Sequence, residues 1–288
     1  MIPRVKRARQ RRVIPLEVRA NVRVSPSFRR LTFGGPALAG FTSPGLDHAV
    51  RLFFPRAGQE GLWLPSLHND AWMAETLFQP VSRRPWVRTY TVREHRPEQR
   101  ELDIEFALHG DQGPASAWAA RARPGDPAGM FEEGYSYLPP DRAGTRLLVA
   151  DESALPAALS VLAGAPPDLT GHAYLEVPTA ADIRADLARP DGVRVTWLPR
   201  DSRDGPHGEG HGDGHGAGDG ESGGAVPGAL ALETVRHATG LGTPAYTWVA
   251  GESKLVTGVR RHLVGQRAVP KRDIAFVGYW RHGRASPG

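Results

Sequence analysis

An arginine, a tyrosine and two threonines alternate in the segment VRTYTVRE, which spans residues 87–94. Alternation of β-forming residues predicts a strand, and side chains two residues apart on a strand point to one face. Arg88 and Tyr90 would therefore share a face, with Thr89 and Thr91 on the other. A guanidinium pairs with phosphate oxygens, a phenol ring lies against planar ring systems, and a threonine hydroxyl or backbone N–H can contact a ring nitrogen. The spacing indicates a ligand with a phosphate and a planar ring.

The second chemical feature is the start of a helix predicted over PASAWAARA, residues 114–122. Proline directly after glycine is a common helix opening. The first N–H groups of a helix have no internal partner and the helix dipole is positive there, so small residues let a diphosphate approach closely. Taken alone, Arg-x-Tyr-Thr is a common pattern whose tyrosine can be a core residue, and the Gly-Pro start can be a plain helix cap. Together they favour a diphosphate clamp whose helix start is Gly113, Pro114, Ala115 and Ser116.

The first half of the chain is predicted to be an antiparallel β-barrel or sandwich. Short segments of alternating or β-forming residues are separated by glycine, proline and polar turns, a pattern typical of such folds. Residues 56–86 form a long connection of uncertain structure. The predicted strands cover residues 13–24, 29–35, 48–55, 87–94 and 101–109.

The second half alternates strands with helices, which predicts βαβ units and a parallel sheet. The fold class is therefore β + α/β, with the break at LPPDRAG, residues 138–144. We expect a basic disordered tail (1–12), a barrel domain (13–138) and an α/β domain (139–288). The predicted strands are 145–151, 171–177, 193–199, 245–251 and 273–280, and the predicted helices are 154–164, 180–188, 228–240 and 254–265.

An insertion rich in glycine and histidine, residues 204–228, interrupts the second half. Its composition predicts a flexible segment without a core. His207, His211 and His215, with Glu209 and Asp213 between them, could chelate a divalent metal weakly, but ordering a flexible loop around an ion costs entropy. We assign no metal site.

Composition limits the possible functions. The 288 residues carry a formal net charge of +5 and no cysteine, which excludes disulfides, Cys-ligated iron–sulfur clusters and a catalytic thiol. No apolar run reaches the length of a membrane span and no signal core follows the basic start, so we expect a cytoplasmic protein.

There is no P-loop motif, and no G-x-G-x-x-G follows the strand at 145–151, so a nucleotide there must be held in another way.

Taken together, these segments resemble the siderophore-interacting protein family, a branch of the ferredoxin-reductase-like flavoproteins. The resemblance covers about residues 13–283, with two departures, the insertion and the less regular segment 129–137. The matching segments are SPSFRRLTFGG, DHAVRLFFP, VRTYTVR, LDIEFALHGDQGPASAWA, LLVADESALPA, YTWVAGES, RRHLV and DIAFVGYWRHG.

The resemblance implies a barrel that binds FAD, a second domain that receives NADH or NADPH, and reduction of ferric siderophores. Carried over by position, the flavin residues are Arg88, Thr89, Tyr90, Thr91, Leu108, His109, Gly110 and Gly113–Ser116. The nicotinamide residues are Asp151, Glu152, Ser153, Gly251 and Glu252, with Ala250 beside them. A basic rim would attract anionic chelates, and its candidates are Arg51, Arg281 and His282. Electron transfer requires no protein acid, base or nucleophile, so no catalytic residue is assigned.

Three alternatives remain open at this stage. A flavin reductase or ferredoxin-type reductase would use another acceptor, a non-catalytic carrier would bind iron chelates without flavin, and a nucleic-acid binder would use the basic start. The electron donor is also open between NADH, NADPH and a ferredoxin. Arg184, Arg200 and Arg203 are weak candidates for a 2′-phosphate contact. We expect a monomer.

Overall fold

Two sheets of different type make up the protein. The computed structural model describes residues 5–8, 11–108, 113–203 and 226–283. Among these residues, an eight-stranded antiparallel sheet occupies the first half and a five-stranded parallel sheet the second. The predicted β + α/β class is confirmed. No helix in the described ranges is both long enough and apolar enough to cross a bilayer.

The antiparallel sheet curves into a barrel-like domain with strand order β5-β4-β8-β2-β3-β7-β6, and β1 pairs with β8. Its strands and helices, in chain order, are β1 (Lys6–Arg7), β2 (Val13–Ser25), β3 (Phe28–Gly34), β4 (Ala49–Phe54), α1 (Trp72–Leu77), β5 (Trp86–Thr91), β6 (Glu94–Arg96), β7 (Glu101–Ala107), α2 (Pro114–Arg121) and β8 (Pro127–Tyr135).

Helix α2 closes one side of the barrel core. Its Trp118 stacks on Phe54 of β4, with ring centroids 4.9 Å apart, and also packs near Phe33 and Phe106. All four rings are buried. Burying such large apolar surfaces is the main stabilising contribution to this half, and it fixes the start of α2 beside β5, against which the helix packs.

The parallel sheet has strand order β11-β10-β9-β12-β13. The chain runs outward from the central β9 and then returns to its other side, so the strand order reverses between β9 and β12. Ligands bind at the carboxyl ends of strands at such a reversal. The elements are β9 (Arg146–Ala150), α3 (Leu155–Ala163), β10 (Gly171–Val177), β11 (Val193–Pro199), α4 (Ala229–His237), β12 (Tyr246–Glu252), α5 (Ser253–Gln266) and β13 (Ile274–Trp280).

Three segments differ from the sequence-based expectation. The helix predicted at 180–188 is wrong, because only Ala180–Asp182 forms a 3-10 turn and Asp182 is used for a tertiary contact. Segment 129–137, to which no structure was assigned, contains most of β8, a central strand. Within the expected tail, Lys6–Arg7 pairs with β8. Residues 138–144 contain no helix or strand, and the domain boundary there stays a prediction.

Asp182 joins the second half to the barrel. Its fully buried carboxylate accepts hydrogen bonds from Ser25 Oγ (2.6 Å), Ser27 N (2.8 Å) and Ser27 Oγ (2.9 Å), and also from Thr179. Burial alone would raise the pKa of Asp182, but these hydrogen bonds outweigh burial and hold the pKa below its usual range. The contact therefore requires the ionised carboxylate.

We expect Asp182→Asn to lower the free energy of unfolding at pH 7 by about 1–3 kcal/mol, since donors in a buried site lose a charged acceptor. The pKa of Asp182 is lower in the folded state, so its stabilisation is present above the unfolded pKa and lost as pH falls through the folded value. Urea titrations at several pH values measure this. Asp186→Asn, at an exposed position nearby, is the control, and equal stability of the two variants would contradict the assignment.

Candidate functional site

The register of β4 and β5 determines which side chains of the Arg-x-Tyr-Thr segment share a face. Leu52 pairs with Arg88 and Val50 with Tyr90. Both partners on β4 are fully buried in the barrel core, so Arg88 and Tyr90 lie on the core-facing side, as the alternation predicts. Thr89 is exposed on the other face.

Arg88 is a half-buried cation without a carboxylate partner among the described residues. Its Nη1 donates to the Val87 carbonyl at 2.7 Å, and its guanidinium carbon lies 5.2 Å from the ring centroid of Trp86. Burial lowers the pKa of Arg88, since burial disfavours the charged form. A half-buried charge that no acidic side chain neutralises fits an anionic ligand.

Tyr90 and Thr91 lie at the end of β5 that faces the second domain. The Tyr90 ring is 4.3 Å from the ring centroid of Phe106, and burial raises the pKa of Tyr90, which keeps the phenol neutral. Thr91 is buried, and its side chain lies close to that of Tyr279 of β13. The last strand of the chain therefore contacts the segment expected to orient a planar ring.

Tyr279 was not selected from the sequence, although it lies within the GYW segment that carried part of the resemblance. Burial raises its pKa, and the nearby carboxylates of Asp47 and Asp151 raise it further. Asp47 precedes β4 and Asp151 follows β9, so Tyr279 lies where the two domains meet. Only the contact with β13 in the folded chain reveals this role.

The predicted helix start is present. Gly113 is the N-cap of α2 in an extended conformation, and Pro114 is the first helical residue. A Cβ added at Gly113 would meet only Ser116 Oγ, at 3.9 Å. Ser116 Oγ itself donates to the Ala107 carbonyl at 3.4 Å. Helix α2 packs against β5, the strand that carries Arg88. A glycine-proline helix start and an arginine without a carboxylate partner among the described residues fit the diphosphate of FAD.

The other residues predicted to bind the flavin are Ala115, Leu108, His109 and Gly110. Ala115 and Leu108 are partly buried against the barrel core, and the Leu108 N–H donates to the Ser27 carbonyl at 2.8 Å. His109 and Gly110 lie outside the described residues.

In the second domain, Asp151 and Gly251 are packed against each other at the strand-order reversal. The Asp151 carboxylate accepts hydrogen bonds from Ser153 N (2.9 Å), Ser153 Oγ (2.5 Å) and Glu252 N (2.6 Å). Gly251 has φ +133°, and a Cβ there would lie 2.5 Å from the Asp151 carboxyl group, so only glycine fits. Burial, followed by the charge of Glu152, raises the pKa of Asp151.

Two further carboxylates cap helices at this end of the sheet. Glu176 accepts from Gly228 N (2.7 Å) and Ala231 N (2.8 Å) at the start of α4. Glu252 accepts from Lys254 N and Leu255 N at the start of α5. These carboxylates occupy N–H donors that a phosphate would need, so a nucleotide phosphate does not fit at either helix start.

Ion pairs occupy two of the arginines that were candidates for a 2′-phosphate contact. Glu152 forms a two-point ion pair with Arg200 at 2.6 and 2.9 Å, and Arg200 also pairs with Glu176 at 2.9 Å. Arg184 pairs with Glu105 of the barrel at 3.3 Å. Neither arginine can bind a 2′-phosphate without disrupting these pairs. The nucleotide contacts of Asp151, Glu152, Ser153, Gly251 and Glu252 stay predictions, and the Arg203 side chain lies outside the described structure.

The three substrate candidates come from different elements. Arg51 Nε donates to Glu133 at 2.9 Å and is partly exposed. Arg281 and His282 are exposed, and the His282 N–H donates to Glu252 at 3.2 Å. Arg281 and His282 thus lie at the start of α5. No group of metal-ligating side chains occurs in the described ranges, and the histidine insertion with His207, His211 and His215 lies outside them.

Comparison with known proteins identifies the family. Residues 17–135 match the profile described as a siderophore-interacting FAD-binding domain, and residues 143–283 match the siderophore-interacting protein profile. The NADPH-dependent ferric-chelate reductase of Escherichia coli is 30% identical over 267 residues, covering 90% of this chain and 89% of that protein. This chain belongs to the siderophore-interacting protein family.

Other relatives agree with this family assignment. The ferric vibriobactin reductase ViuB of Vibrio cholerae is 28% identical and covers 91% of this chain and 86% of that protein. A siderophore utilization protein from T. fusca superimposes with a TM-score of 0.78 at 30% identity, covering 100% of this chain and 99% of that one. A carbazole dioxygenase ferredoxin reductase shares the fold alone, with a TM-score of 0.62 at 15% identity and coverage of 93% and 69%.

This siderophore-interacting protein also contains a cavity that the sequence did not indicate. The cavity has a volume of about 410 Å³ and lies between the barrel and β1, lined in part by Arg12, Phe41, His48, Glu132 and Tyr135. His48 Nε2 and Glu132 Oε2 are 3.8 Å apart. Burial, followed by the charge of His95, lowers the pKa of His48 to about 4. Burial raises the pKa of Glu132 to about 7, against the opposing charge of Arg12.

We expect Glu132→Gln to change how stability depends on pH. The pKa of Glu132 is about 7 in the folded protein, above its unfolded value. The stabilisation of the folded state by protonated Glu132 is therefore fully present below the unfolded pKa and is lost as pH rises through about 7. The free energy of unfolding of the variant, taken relative to that of the natural protein, should therefore increase by about 1–3 kcal/mol from pH 5 to pH 8. Urea titrations at both pH values test this. The exposed Glu98→Gln is the control, and a pH-independent difference for Glu132→Gln would refute the assignment.

Proposed function

We propose that this protein reduces ferric siderophores with electrons that pass from a nicotinamide nucleotide through bound FAD. The observation that carries the proposal is the half-buried Arg88, which pairs with no carboxylate among the described residues and lies on β5, the strand against which helix α2 packs. This donor set fits a diphosphate and lies within the part of the chain that matches a siderophore-interacting FAD-binding domain. Two relatives named as ferric reductases support the choice of iron as acceptor.

The residues of the barrel hold and orient the cofactor. Arg88 and the first N–H groups of α2 bind the diphosphate, while Tyr90 and the Thr89–Thr91 backbone position the ring. When bound, FAD accepts two electrons from the nicotinamide and supplies them singly to ferric iron. The Thr91–Tyr279 contact joins the flavin segment to the second domain, where Asp151 and Gly251 mark the nicotinamide entrance.

Reduction releases the metal because siderophore oxygens are hard ligands that bind ferrous iron much more weakly than ferric iron. Arg51, Arg281 and His282 are proposed to attract the anionic chelate. Arg51 would share its charge between the substrate and Glu133, with which it already pairs. The protein then needs no acid, base or nucleophile for the electron transfer itself.

The electron donor, the cellular location and the oligomeric state are also part of the proposal. We propose NADPH as the donor, supported by the name of the Escherichia coli relative, with NADH and a ferredoxin as alternatives that the assay separates. We also propose that the protein acts in the cytoplasm as a monomer.

The test is an anaerobic absorption spectrum of the purified protein. We expect a flavin spectrum that bleaches with NADPH and returns when a ferric chelate is added, with ferrous iron trapped by a chromogenic chelator. A colourless protein that does not bind added FAD would refute the proposal. Bleaching without recovery on ferric chelates would favour another acceptor. Bleaching by NADH or by reduced ferredoxin alone would correct the donor.

Arg88→Met should weaken FAD binding by about 1.5–3 kcal/mol, or about tenfold or more, because a charge-assisted contact with the diphosphate is lost. Titration of the apoprotein with FAD, followed by flavin fluorescence, measures this. Arg83→Met is the control, since the Arg83 side chain is exposed and only its backbone forms a hydrogen bond. Unchanged affinity in Arg88→Met would remove the central contact of the proposal.

A further inference from the structure

The cavity beside β1 is closed on one side by the N-terminal segment. Strand β1 pairs with the end of β8, with Lys6 opposite Tyr135 and Arg7 opposite Gly134. Gly134 has φ +132°, and a Cβ there would clash with the Lys6 carbonyl oxygen, so only glycine lets the segment approach this closely. The cavity volume of about 410 Å³ falls within the range of small-molecule sites, roughly 300–1,000 Å³. The enclosed space is therefore large enough for an organic ligand.

Two buried polar side chains lie at the inner end of this cavity. His48 is 1% exposed and Glu132 is 7% exposed, and Glu132 lies opposite the fully buried Val50. His48 Nδ1 is 3.1 Å from Ser43 Oγ, and the imidazole stacks on Phe41 with ring centroids 5.9 Å apart. His48 Nε2 has no hydrogen-bond partner among the described residues, because Glu132 Oε2 is 3.8 Å away. A ligand that offers a hydrogen bond would stabilise this buried nitrogen.

Two cations line the outer end of the cavity. Arg12 Nη2 donates to the carbonyls of Ala37 (3.2 Å) and Ala39 (3.3 Å), and the other two guanidinium nitrogens form no hydrogen bond within the described ranges. The Lys6 ammonium lies 5.7 Å from the centroid of the Tyr135 ring. In the part of the chain that the structure describes, no carboxylate forms an ion pair with Arg12 or Lys6. Both cations can therefore pair with an external anion.

The balance of charge around the cavity also favours an anion. Among the described lining residues Glu132 is the single carboxylate, whereas Lys6, Arg7 and Arg12 are cationic. Arg7 already pairs with Asp70 at 3.0 Å. Because burial raises the pKa of Glu132 to about 7, its charge offsets the other two cations only in part at neutral pH. A carboxylate at the outer end would complete the neutralisation through charge-assisted hydrogen bonds.

We propose that this cavity binds a small aromatic carboxylate that carries a hydroxyl group at the opposite end of its ring, as 4-hydroxybenzoate does. The carboxylate pairs with Arg12, and the ring packs against Phe41 and Tyr135, since aromatic side chains favour a flat ring. The hydroxyl bonds to His48 Nε2. A hydroxyl group both donates and accepts, so it satisfies Nε2 in either tautomer. The site is separate from Arg88 and does not depend on the proposed function.

Calorimetric titration of the full-length protein, with FAD added in excess, tests the charge contact. We expect Arg12→Met to weaken the binding of 4-hydroxybenzoate and of benzoate alike, each about tenfold, because both ligands lose one charge-assisted contact. Arg83→Met is the matched control, since the Arg83 side chain is exposed and only its backbone forms a hydrogen bond. Unchanged affinity in Arg12→Met would contradict the assignment of the carboxylate.

The hydroxyl contact is tested by comparing the two ligands in His48→Phe, which keeps a ring against Phe41 but removes Nε2. Binding of 4-hydroxybenzoate should weaken about fivefold, the effect of one neutral hydrogen bond, while benzoate binding should change by less than about twofold. Equal losses for the two ligands would show that His48 acts through the fold and not through the hydroxyl.

A third variant tests the cavity without changing a buried residue. Thr42 is exposed and lines the cavity, so Thr42→Trp should block both ligands and leave FAD binding unchanged. The inference is overturned if 4-hydroxybenzoate does not bind the natural protein, if it binds Thr42→Trp equally well, or if it shifts the flavin spectrum, which would place it at the flavin. A protein that binds no flavin refutes the proposed function alone, because calorimetry reads the cavity directly.

Discussion

The uncompensated charge of Arg88 is the interaction on which the rest of the flavin site depends. A guanidinium held against the barrel core loses hydration. Two other half-buried arginines of this protein, Arg96 and Arg200, recover that cost through carboxylates. Arg88 has only a backbone carbonyl and an indole ring. Its side chain is held inward by the pairing of β5 with β4, because a shift of one residue would turn it to the other face. The fold thus maintains a positive charge that an external anion can neutralise.

The second domain has the opposite electrostatic character. Asp151, Glu152, Glu176 and Glu252 are all buried at the carboxyl ends of the parallel strands, and two of them cap helices α4 and α5. Ordinary doubly wound domains use such helix starts for phosphates. Here the protein's own carboxylates satisfy the starts of α4 and α5. A nucleotide donor must be held mainly by other contacts.

The sequence predicted the parts of the site that obey local rules. The alternation at 87–91 and the Gly113-Pro114 helix start follow from strand period and capping, and both are present. The helix at 180–188 was wrong because Asp182 gains more from the barrel serines than from a helical turn. β8 was missed because Glu132 and Gly134 interrupt its pattern, and their environment is set by distant strands. Tyr279 joins the site only through the contact between the domains, which no local pattern encodes.

Contacts between the domains fix the position of the flavin segment relative to the second domain. Thr91 lies close to Tyr279, Trp248 Nε1 donates to Asp47 at 3.1 Å, and Ser160 Oγ donates to the Arg93 carbonyl at 3.0 Å. Each contact crosses from one domain to the other, and several are buried. They fix the place where a flavin and a nicotinamide must meet, which is the step that requires exact geometry. Transfer to iron needs proximity but no bond to the protein, so a cation proposed to attract the substrate, such as Arg281, can remain exposed without a shaped pocket.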